Sequence, residues 1–354
     1  MPFSSSSGRP AGSSRFSSVK ASGPKTEGPK ATPETPPGGG MAEVAEPSLA
    51  LRSLHGLFRL LRVKDWARPP VLQALIRLSR RTGPALPSGR LRNLCEIRQE
   101  VAHGDRVFHL GPRDGGKAPF HLLYLHGGAY SFAISFLHWR FLDDLIRRTG
   151  CSVTVPFYPL APESGHREAL ASVLAHYTDL CAHFAPERMV VMGDSAGGGL
   201  ALALAQALVA AGHPQPGQIV LLSPWLDLTM NDPATLAHRP HDPVITPEAA
   251  RAAALLYAGD LPLDDPGISP LYGEMRGLAP VAIMTGTADL LNPEAHRLVQ
   301  RLEAAGQAVE LVEQAGMVHA WMLLPLPEAE RARGQIADLL NARFRPKGGE
   351  SLPA

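Results

Sequence analysis

The feature that most constrains the fold is a regular alternation of strand-like and helix-like segments after about residue 100. Short apolar segments with the pattern of β-strands occupy residues 106–110, 120–125, 152–156, 189–192, 218–222, 281–285 and 309–313. Amphipathic helical patterns lie between several of them or follow the last, at residues 137–148, 167–183, 198–211, 293–305 and 327–342. This alternation predicts an α/β fold whose mostly parallel central sheet is flanked by helices on both faces.

Two regions depart from this rhythm and predict a helical cap. Between about residues 227 and 277, prolines, aspartates and one helical segment replace the alternation, so we expect an insertion over the edge of the sheet. Within residues 49–95, apolar side chains recur at helical spacing, namely Leu51, Leu54, Phe58 and Leu61. A second helical run follows Pro69-Pro70. We expect these N-terminal helices to join the insertion as a lid.

The two ends of the chain are predicted to lie outside packed structure. Residues 1–48 are rich in Ser, Gly and Pro and lack the apolar side chains that could offset the entropy of ordering. We interpret them as a disordered tail, with a transit peptide as the alternative, and expect the functional chain to begin at Met41. The main α/β domain then spans residues 96–345, and residues 346–354 are predicted to form a flexible C-terminus.

The charge and cysteine content argue against several classes of partner. A formal net charge of +1 over 354 residues gives no reason to expect nucleic acid. The three cysteines, Cys95, Cys151 and Cys181, form no close metal-type pair, and their odd number favours a reducing, cytoplasmic setting. No apolar run reaches the roughly 20 residues that span a bilayer. Residues 49–81 are locally basic and helical, so contact with a membrane surface is the alternative to a packed cap.

A cluster of glycines around Ser195 has three interpretations: a phosphate-binding loop, a catalytic turn, or a plain strand-to-helix turn. The segment reads MVVMGDSAGGGLALALAQAL from residue 189 to residue 208. A phosphate loop of the type G-x-x-x-x-G-K-[ST] needs a lysine that this segment lacks, and the G-x-G-x-x-G register fails from both Gly193 and Gly197. The pattern G-x-S-x-G between an apolar strand and a helix is instead typical of a nucleophile elbow. Ser195 is therefore the candidate nucleophile.

A serine nucleophile needs a histidine base, which follows it in the chain in this architecture. His319 lies in GMVHAW, just after the predicted strand at 309–313 and therefore at the edge of the sheet where the elbow lies. The other histidines after Ser195 lie in a helical pattern, at a helix end or in the insertion: His213, His238, His241 and His296. We predict that His319 is the base.

The acid that orients this base is expected at the same edge of the sheet. Asp289 follows the predicted strand at 281–285 and is the candidate. Asp227 follows the preceding strand and is the fallback, whereas Glu313 lies within its own strand and fits less well.

Two further stretches carry polar groups with a chemical interpretation. The loop His126-Gly127-Gly128-Ala129 follows a strand and can present backbone N–H groups to an oxyanion, and the N–H of Ala196 would complete the hole. We interpret His126 as an anchor for this loop. The stretch HRPHDP (238–243) has a His-x-x-His-Asp spacing, but it is short and bounded by prolines, so we predict no metal site.

Seven motifs in this order resemble the hormone-sensitive-lipase-like branch of the α/β-hydrolase esterases. They are LHGGAYSF (125–132), YPLAPE (158–163), GDSAGGGLA (193–201), SPWLDLT (223–229), ISPLYGEMRGLAP (268–280), GTADLL (286–291) and GMVHAW (316–321). The resemblance covers most of residues 105–345 and implies an α/β-hydrolase fold with a helical cap. It implies a triad and oxyanion donors at Ser195, Asp289, His319, Gly127, Gly128 and Ala196. It also implies hydrolysis of short- to medium-chain carboxylic esters without a cofactor.

Two positions depart from the pattern of that family. The loop reads HGGA where many members read HGGG, so Ala129 either alters the acyl pocket or leaves only two loop donors. Pro159 stands in YPLAPE where arginine is frequent, which removes a tether between that loop and its neighbours. Both departures bear on specificity more than on activity.

The function predicted from these residues is that of a serine carboxylesterase that hydrolyses small-molecule esters through an acyl-enzyme on Ser195. A lactone hydrolase with the same triad is the nearest alternative, because a lactone is a cyclic ester. A non-catalytic ligand receptor on the same fold is the alternative from a different class.

Overall fold

The computed structural model describes residues 48–60, 69–113 and 117–344, which are built around an eight-stranded sheet. The strands are β1 (Cys95–Ala102), β2 (Asp105–Pro112), β3 (His121–Leu125), β4 (Ser152–Pro156), β5 (Met189–Asp194), β6 (Gln218–Leu222), β7 (Val281–Gly286) and β8 (Val309–Gln314). Their order across the sheet is β1-β2-β4-β3-β5-β6-β7-β8. The pairs β1–β2 and β2–β4 are antiparallel, and all the other pairs are parallel. The prediction of a mostly parallel sheet is confirmed.

Ten helices lie in the described part of the chain. They are α1 (Leu49–Leu60), α2 (Pro69–Thr82), α3 (Gly89–Leu94), α4 (Phe136–Thr149), α5 (His166–Cys181), α6 (Ala196–Ala211), α7 (Pro233–His238), α8 (Pro247–Ala258), α9 (Asn292–Ala304) and α10 (Pro327–Phe344). Local sequence explains several helix ends. At the start of α8, for example, the Thr246 hydroxyl accepts the backbone N–H of Ala249, and Pro247 occupies the first helical position.

Alternate residues of the central strands divide the core into two clusters, one on each face of the sheet. Leu123 and Val191 belong to the cluster that also contains Leu72 and Ile76 of α2. Their neighbours along the strands belong to the other cluster, which α4 and α10 cover together with Leu51 of α1. The central strands are buried on both faces, and most of their residues are accordingly apolar.

The two N-terminal helices therefore pack in different places. α2 packs against α8 of the 227–277 insertion, as expected of a lid. α1 lies against the opposite cluster, where the backbone N–H of Ser48 donates to Glu328 Oε1 of α10 at 2.9 Å. The expectation that both helices join the insertion thus fits α2 and does not describe α1. The domain limits at residues 49–95 and 96–345 stay a prediction.

The first strand of the sheet was absent from the sequence prediction. β1 reads CEIRQEVA and forms the edge of the sheet; its alternation is irregular, because Glu100 is half-buried whereas the apolar Val101 is exposed. It pairs with β2 through a hairpin whose turn residues, His103 and Gly104, both have positive φ, at 53° and 87°. This turn geometry favours glycine at the second position and matches the twist of the two strands.

The predicted tail at residues 1–48 lies almost wholly outside the described residues, as does the predicted C-terminus at 346–354. In the described ranges, no helix combines the length and the apolar character needed to cross a membrane.

Candidate active site

Ser195 sits at a sharp turn between β5 and α6. Its backbone adopts φ 52° and ψ −123°, a conformation that is strained for a residue with a side chain. The flanking glycines permit the turn, because a Cβ on Gly193 would overlap the carbonyl of Gly197, and one on Gly197 would overlap that of Leu125. The sequence motif thus forms the strained strand–turn–helix geometry of a nucleophile elbow.

His319 and Asp289 lie together at the same edge of the sheet. His319 follows β8, Asp289 follows β7, and His319 Nδ1 is 3.1 Å from both carboxylate oxygens of Asp289. The Asp289 side chain is fully buried, whereas 11% of the His319 side chain is exposed. An imidazole held in this way through Nδ1 leaves Nε2 as the nitrogen available for proton transfer.

The electrostatic environment of His319 favours its protonated form. Burial by itself lowers the pKa of this imidazole, but the charge of Asp289 and its hydrogen bond, with smaller contributions from Asp242 and Asp194, outweigh burial. The net result is a pKa raised above the ordinary 6.5. The site therefore stabilises an imidazolium, which is the state that a general base passes through during acyl transfer.

The rejected candidates for the acid have other partners. The Asp227 carboxylate accepts hydrogen bonds from Thr229, from the Tyr272 hydroxyl at 2.7 Å and from Arg297 Nη1 at 3.0 Å. Glu313 Oε1 lies 2.6 Å from His296 Nε2. Both carboxylates are tied to structural partners away from His319.

The oxyanion loop differs from its prediction at one position. The N–H of Gly127 donates to Asp194 Oδ1 at 2.9 Å, so it is already engaged and does not point to a substrate. Gly128 and Ala129 instead line the cavity that contains Ser195. No acceptor within the described ranges takes the N–H of Gly128, Ala129 or Ala196. These three N–H groups are the candidate donors, whereas the N–H of the predicted donor Gly127 is bound to Asp194.

His126 is packed as an anchor beneath this loop. Its Nδ1–H donates to the Gly127 carbonyl at 2.8 Å, and its ring stacks on Tyr158 with centroids 4.6 Å apart. Complete burial is the main cause that lowers the pKa of His126 to about 4, so the ring is neutral at physiological pH. A neutral, buried imidazole of this kind suits the structural role that the sequence suggested.

Asp194 is a buried carboxylate whose role the sequence did not indicate. It accepts hydrogen bonds from the Tyr124 hydroxyl at 2.7 Å and from Gly127, and its Oδ2 lies 3.4 Å from His138 Nε2. Burial raises the pKa of Asp194, but the His138 charge and these hydrogen bonds lower it to about 2. The ionised carboxylate fixes the oxyanion loop against the elbow. The only sequence feature that could have indicated this role is the position of Asp194 directly before the candidate nucleophile.

Strained backbone concentrates around the same edge of the sheet. Several non-glycine residues there have φ between 45° and 55°, namely Ala129, Tyr130, Ser195, Ser223 and Ala320. The Ser223 hydroxyl accepts the N–H of Ala320, next to His319, at 3.0 Å. Such conformations cost about 1–3 kcal/mol each and persist only where the surroundings hold them, which is typical of functional sites.

An apolar cavity of about 450 Å³ opens beside Ser195 and His319. Its walls come from the oxyanion loop, from α2 through Leu72 and Leu75, and from the insertion. The residues contributed by the insertion are Val244, Ile245, Ala249, Ala250 and Ala253. Among the described residues that line it, the only ionisable ones besides His319 are His138 and Asp194. The cavity therefore suits a neutral, largely apolar ligand.

Asp242 joins the insertion to the loop of Asp289. Its Oδ1 accepts the N–H groups of Val244 and Ile245, and its Oδ2 accepts that of Leu290 at 2.8 Å. Burial and the neighbouring Asp289 raise the pKa of Asp242. These hydrogen bonds occupy the carboxylate of the HRPHDP stretch. Within the described residues, no group of three or more His, Cys, Asp or Glu side chains is arranged to hold a metal ion.

Comparison with known proteins identifies the family of this chain. A family model described as the alpha/beta hydrolase fold matches residues 122–323. LipR of Mycobacterium tuberculosis, provisionally named an acetyl-hydrolase, is 38% identical over 229 residues, which cover 63% of this chain and 72% of LipR. An esterase of Acinetobacter venetianus is 30% identical over 273 residues, covering 76% of this chain and 86% of the relative. A solved esterase from the bacterial hormone-sensitive lipase (HSL) family aligns with TM-score 0.71 and 28% identity, over 86% of this chain and 100% of that chain.

Proposed function

The chain belongs to the α/β-hydrolase fold family and is a carboxylic ester hydrolase, and from this premise we propose that it is a serine carboxylesterase acting through an acyl-enzyme on Ser195. One observation carries the proposal. Ser195 and His319 line the same apolar cavity, and the buried Asp289 carboxylate is hydrogen-bonded to His319 Nδ1. The strained elbow supports the same assignment, because it exposes the serine hydroxyl at the edge of the sheet.

Acylation follows from these positions. Ser195 Oγ attacks the ester carbonyl carbon while His319 Nε2 takes the hydroxyl proton, and the carbonyl π-electrons move to the oxygen. Asp289 holds the imidazole tautomer and stabilises the imidazolium. When the tetrahedral intermediate collapses, the bond to the alkoxy oxygen breaks and His319 returns the proton to the departing alcohol. Deacylation repeats these steps with water as the nucleophile, releasing the acid and restoring Ser195.

The oxyanion formed in both half-reactions needs preorganised donors. We propose that the N–H groups of Gly128, Ala129 and Ala196 supply them, since these three are free of protein acceptors in the described ranges and Gly127 is bound to Asp194. Loss of one such donor typically lowers kcat by about 10²–10³-fold. Ala196 begins α6, so its N–H also benefits from the positive end of the helix dipole.

The cavity is expected to select neutral esters of short to medium acyl chain. Each methylene buried in an apolar cavity contributes about 0.8 kcal/mol, or about fourfold in kcat/KM. For p-nitrophenyl esters, kcat/KM should therefore rise from acetate to butyrate, by two methylenes, roughly fifteenfold, and fall again for palmitate, whose chain exceeds the cavity. Initial rates across this series measure the effect. A continuous rise up to palmitate would contradict the assignment of this cavity as an acyl site of limited length.

The pH dependence of kcat/KM is expected to follow His319. Only neutral His319 can accept the Ser195 proton, and the surrounding carboxylates raise its pKa above 6.5. The rate should therefore be low in acid and rise with pH through a midpoint above 6.5. A pH profile of kcat/KM on p-nitrophenyl butyrate measures this midpoint. A midpoint below 6.5 would show that the carboxylates do not govern the base.

The alternative functions predicted from the sequence can be distinguished by kinetic comparison of substrates. A lactone tested beside the esters would give the higher kcat/KM if the enzyme were primarily a lactone hydrolase. A non-catalytic receptor has no support from the relatives, which are named for hydrolytic activity. A cytoplasmic location and surface contact with a membrane through residues 49–81 both stay predictions.

A further inference from the structure

Arg80, in the last turn of α2, reaches two loops beside the active site. Its Nη1 donates to the Ser131 carbonyl at 2.7 Å, and its Nη2 donates to the Ala161 carbonyl, also at 2.7 Å. Its Nε and Nη2 further contact the Glu163 carboxylate at 2.9–3.2 Å. One guanidinium therefore binds both the segment after the oxyanion loop and the YPLAPE segment.

The backbone that Arg80 contacts on the first side is strained. Ala129 and Tyr130 both have positive φ, at 50° and 55°, and the Gly128 carbonyl accepts the N–H groups of Ser131 and Phe132. This turn fixes the direction of the N–H groups of Gly128 and Ala129. Strained non-glycine backbone relaxes unless surrounding contacts hold it, and Arg80 holds the carbonyl at the end of the turn.

The second loop supports the same turn from its other side. The N–H of Ala161 donates to the Tyr130 carbonyl at 2.8 Å, and the Tyr158 hydroxyl donates to the His126 carbonyl at 2.5 Å. Arg80 links the two loops because its guanidinium donates to the Ala161 and Ser131 carbonyls simultaneously. Pro159 contributes no cation to this loop, and the cation present comes instead from the helix that lines the cavity.

The geometry suits arginine specifically. A guanidinium carries five donors in a rigid planar fork and can serve two carbonyls and a carboxylate together, which an ammonium on a flexible stem cannot do in one orientation. The Glu163 side chain is 58% exposed, compared with 29% for Arg80, so their ion pair itself contributes little. The two carbonyl contacts are the part of the arrangement that constrains the loops.

We propose that Arg80 is a positioning residue for the oxyanion hole: through the Ser131 and Ala161 carbonyls it holds the turn that aims the N–H groups of Gly128 and Ala129. This inference rests on the proposed function, which gives those N–H groups their role. It assigns a catalytic consequence to α2, which also contributes Leu72 and Leu75 to the cavity wall.

The test compares Arg80→Gln and Arg80→Lys with two matched controls. Arg81→Gln removes the same charge from the neighbouring exposed position of α2, and Glu163→Gln removes the ion pair while keeping both carbonyl contacts. The substrate is p-nitrophenyl butyrate. A trifluoromethyl ketone serves as a probe of the hole, because addition of the Ser195 hydroxyl to it forms a tetrahedral oxyanion with the proton on His319. Urea unfolding measures stability.

We expect Arg80→Gln to lower kcat about tenfold with KM within about twofold, a fraction of the 10²–10³-fold loss for a missing donor. The inhibition constant of the ketone should weaken by the same factor, Arg80→Lys should be intermediate, and both controls should stay within about twofold of wild type. An unchanged ketone affinity, or a rise in KM alone, would overturn the inference and leave Arg80 as a packing residue of α2. A wild-type protein that neither cleaves the ester nor binds the ketone would instead refute the proposed function.

Discussion

Replacing Ser195 with alanine is expected to lower kcat for p-nitrophenyl butyrate by about 10⁵–10⁶-fold, close to the loss seen when a protease triad loses its nucleophile. The substitution removes the oxygen that becomes acylated, and no other hydroxyl takes its place. The Ser195 side chain makes no capping hydrogen bond to α6, so the free energy of unfolding should change by no more than about 0.5 kcal/mol.

Steady-state rates and urea unfolding of Ser195→Ala measure both expectations. Ser164→Ala is a suitable control, because Ser164 is a partly exposed serine outside the cavity wall. It should retain kcat within about twofold. Retention of more than a hundredth of wild-type kcat by Ser195→Ala, in protein free of wild-type contamination, would remove Ser195 from the mechanism.

Replacing Asp289 with asparagine is expected to lower kcat about 10⁴-fold. The amide cannot stabilise the imidazolium and favours the wrong tautomer of His319, to which Asp289 is bound at 3.1 Å. The shape of the side chain is kept, so substrate binding should change little. The pH midpoint of the residual activity should also fall, because the carboxylate that raises the pKa of His319 is gone.

The fallback acid provides the matched comparison. Asp227→Asn weakens the contacts of this carboxylate with Arg297 and Tyr272 and should lower the free energy of unfolding by about 1–3 kcal/mol, because Arg297 is partly exposed and also pairs with Asp232 at 3.1 Å. The kcat of the folded fraction should stay within a fewfold of wild type. If Asp227→Asn and Asp289→Asn exchanged these phenotypes, Asp227 would be the acid that acts on His319.

Much of the fold was predictable because its strands are buried on both faces. Every residue of Ser152–Pro156 and Gln218–Leu222 is buried, most of them are apolar, and the sequence prediction gave both strands the observed bounds. Cys95–Ala102 escaped detection because this edge strand is rich in charged residues, which weakens the alternation that identifies strands. The packing of α1 away from the insertion also could not be predicted. A helical pattern identifies the apolar face of a helix but not the surface against which that face packs.

In the site, the sequence indicated which residues carry chemistry but not how the loop donors are used. Gly127 looked equivalent to Gly128, and only the 2.9 Å contact to Asp194 distinguishes them. The contacts of Asp194 with Tyr124 and of Arg80 with Ala161 join residues 70 and 81 positions apart. Such pairings depend on how loops meet in space, and no local spacing in the sequence encodes them.

Covalent labelling with a fluorophosphonate, followed by intact-mass analysis and peptide mapping, measures directly whether Ser195 is the nucleophile. The activated serine oxygen attacks the phosphonyl phosphorus and displaces fluoride, so we expect one adduct per chain, located on Ser195. Labelling should be absent in Ser195→Ala and strongly slowed in Asp289→Asn, whereas Asp227→Asn should label at a near wild-type rate. An unlabelled wild-type protein that is folded, or an adduct mapped to another serine, would contradict the assignment of Ser195 as the nucleophile.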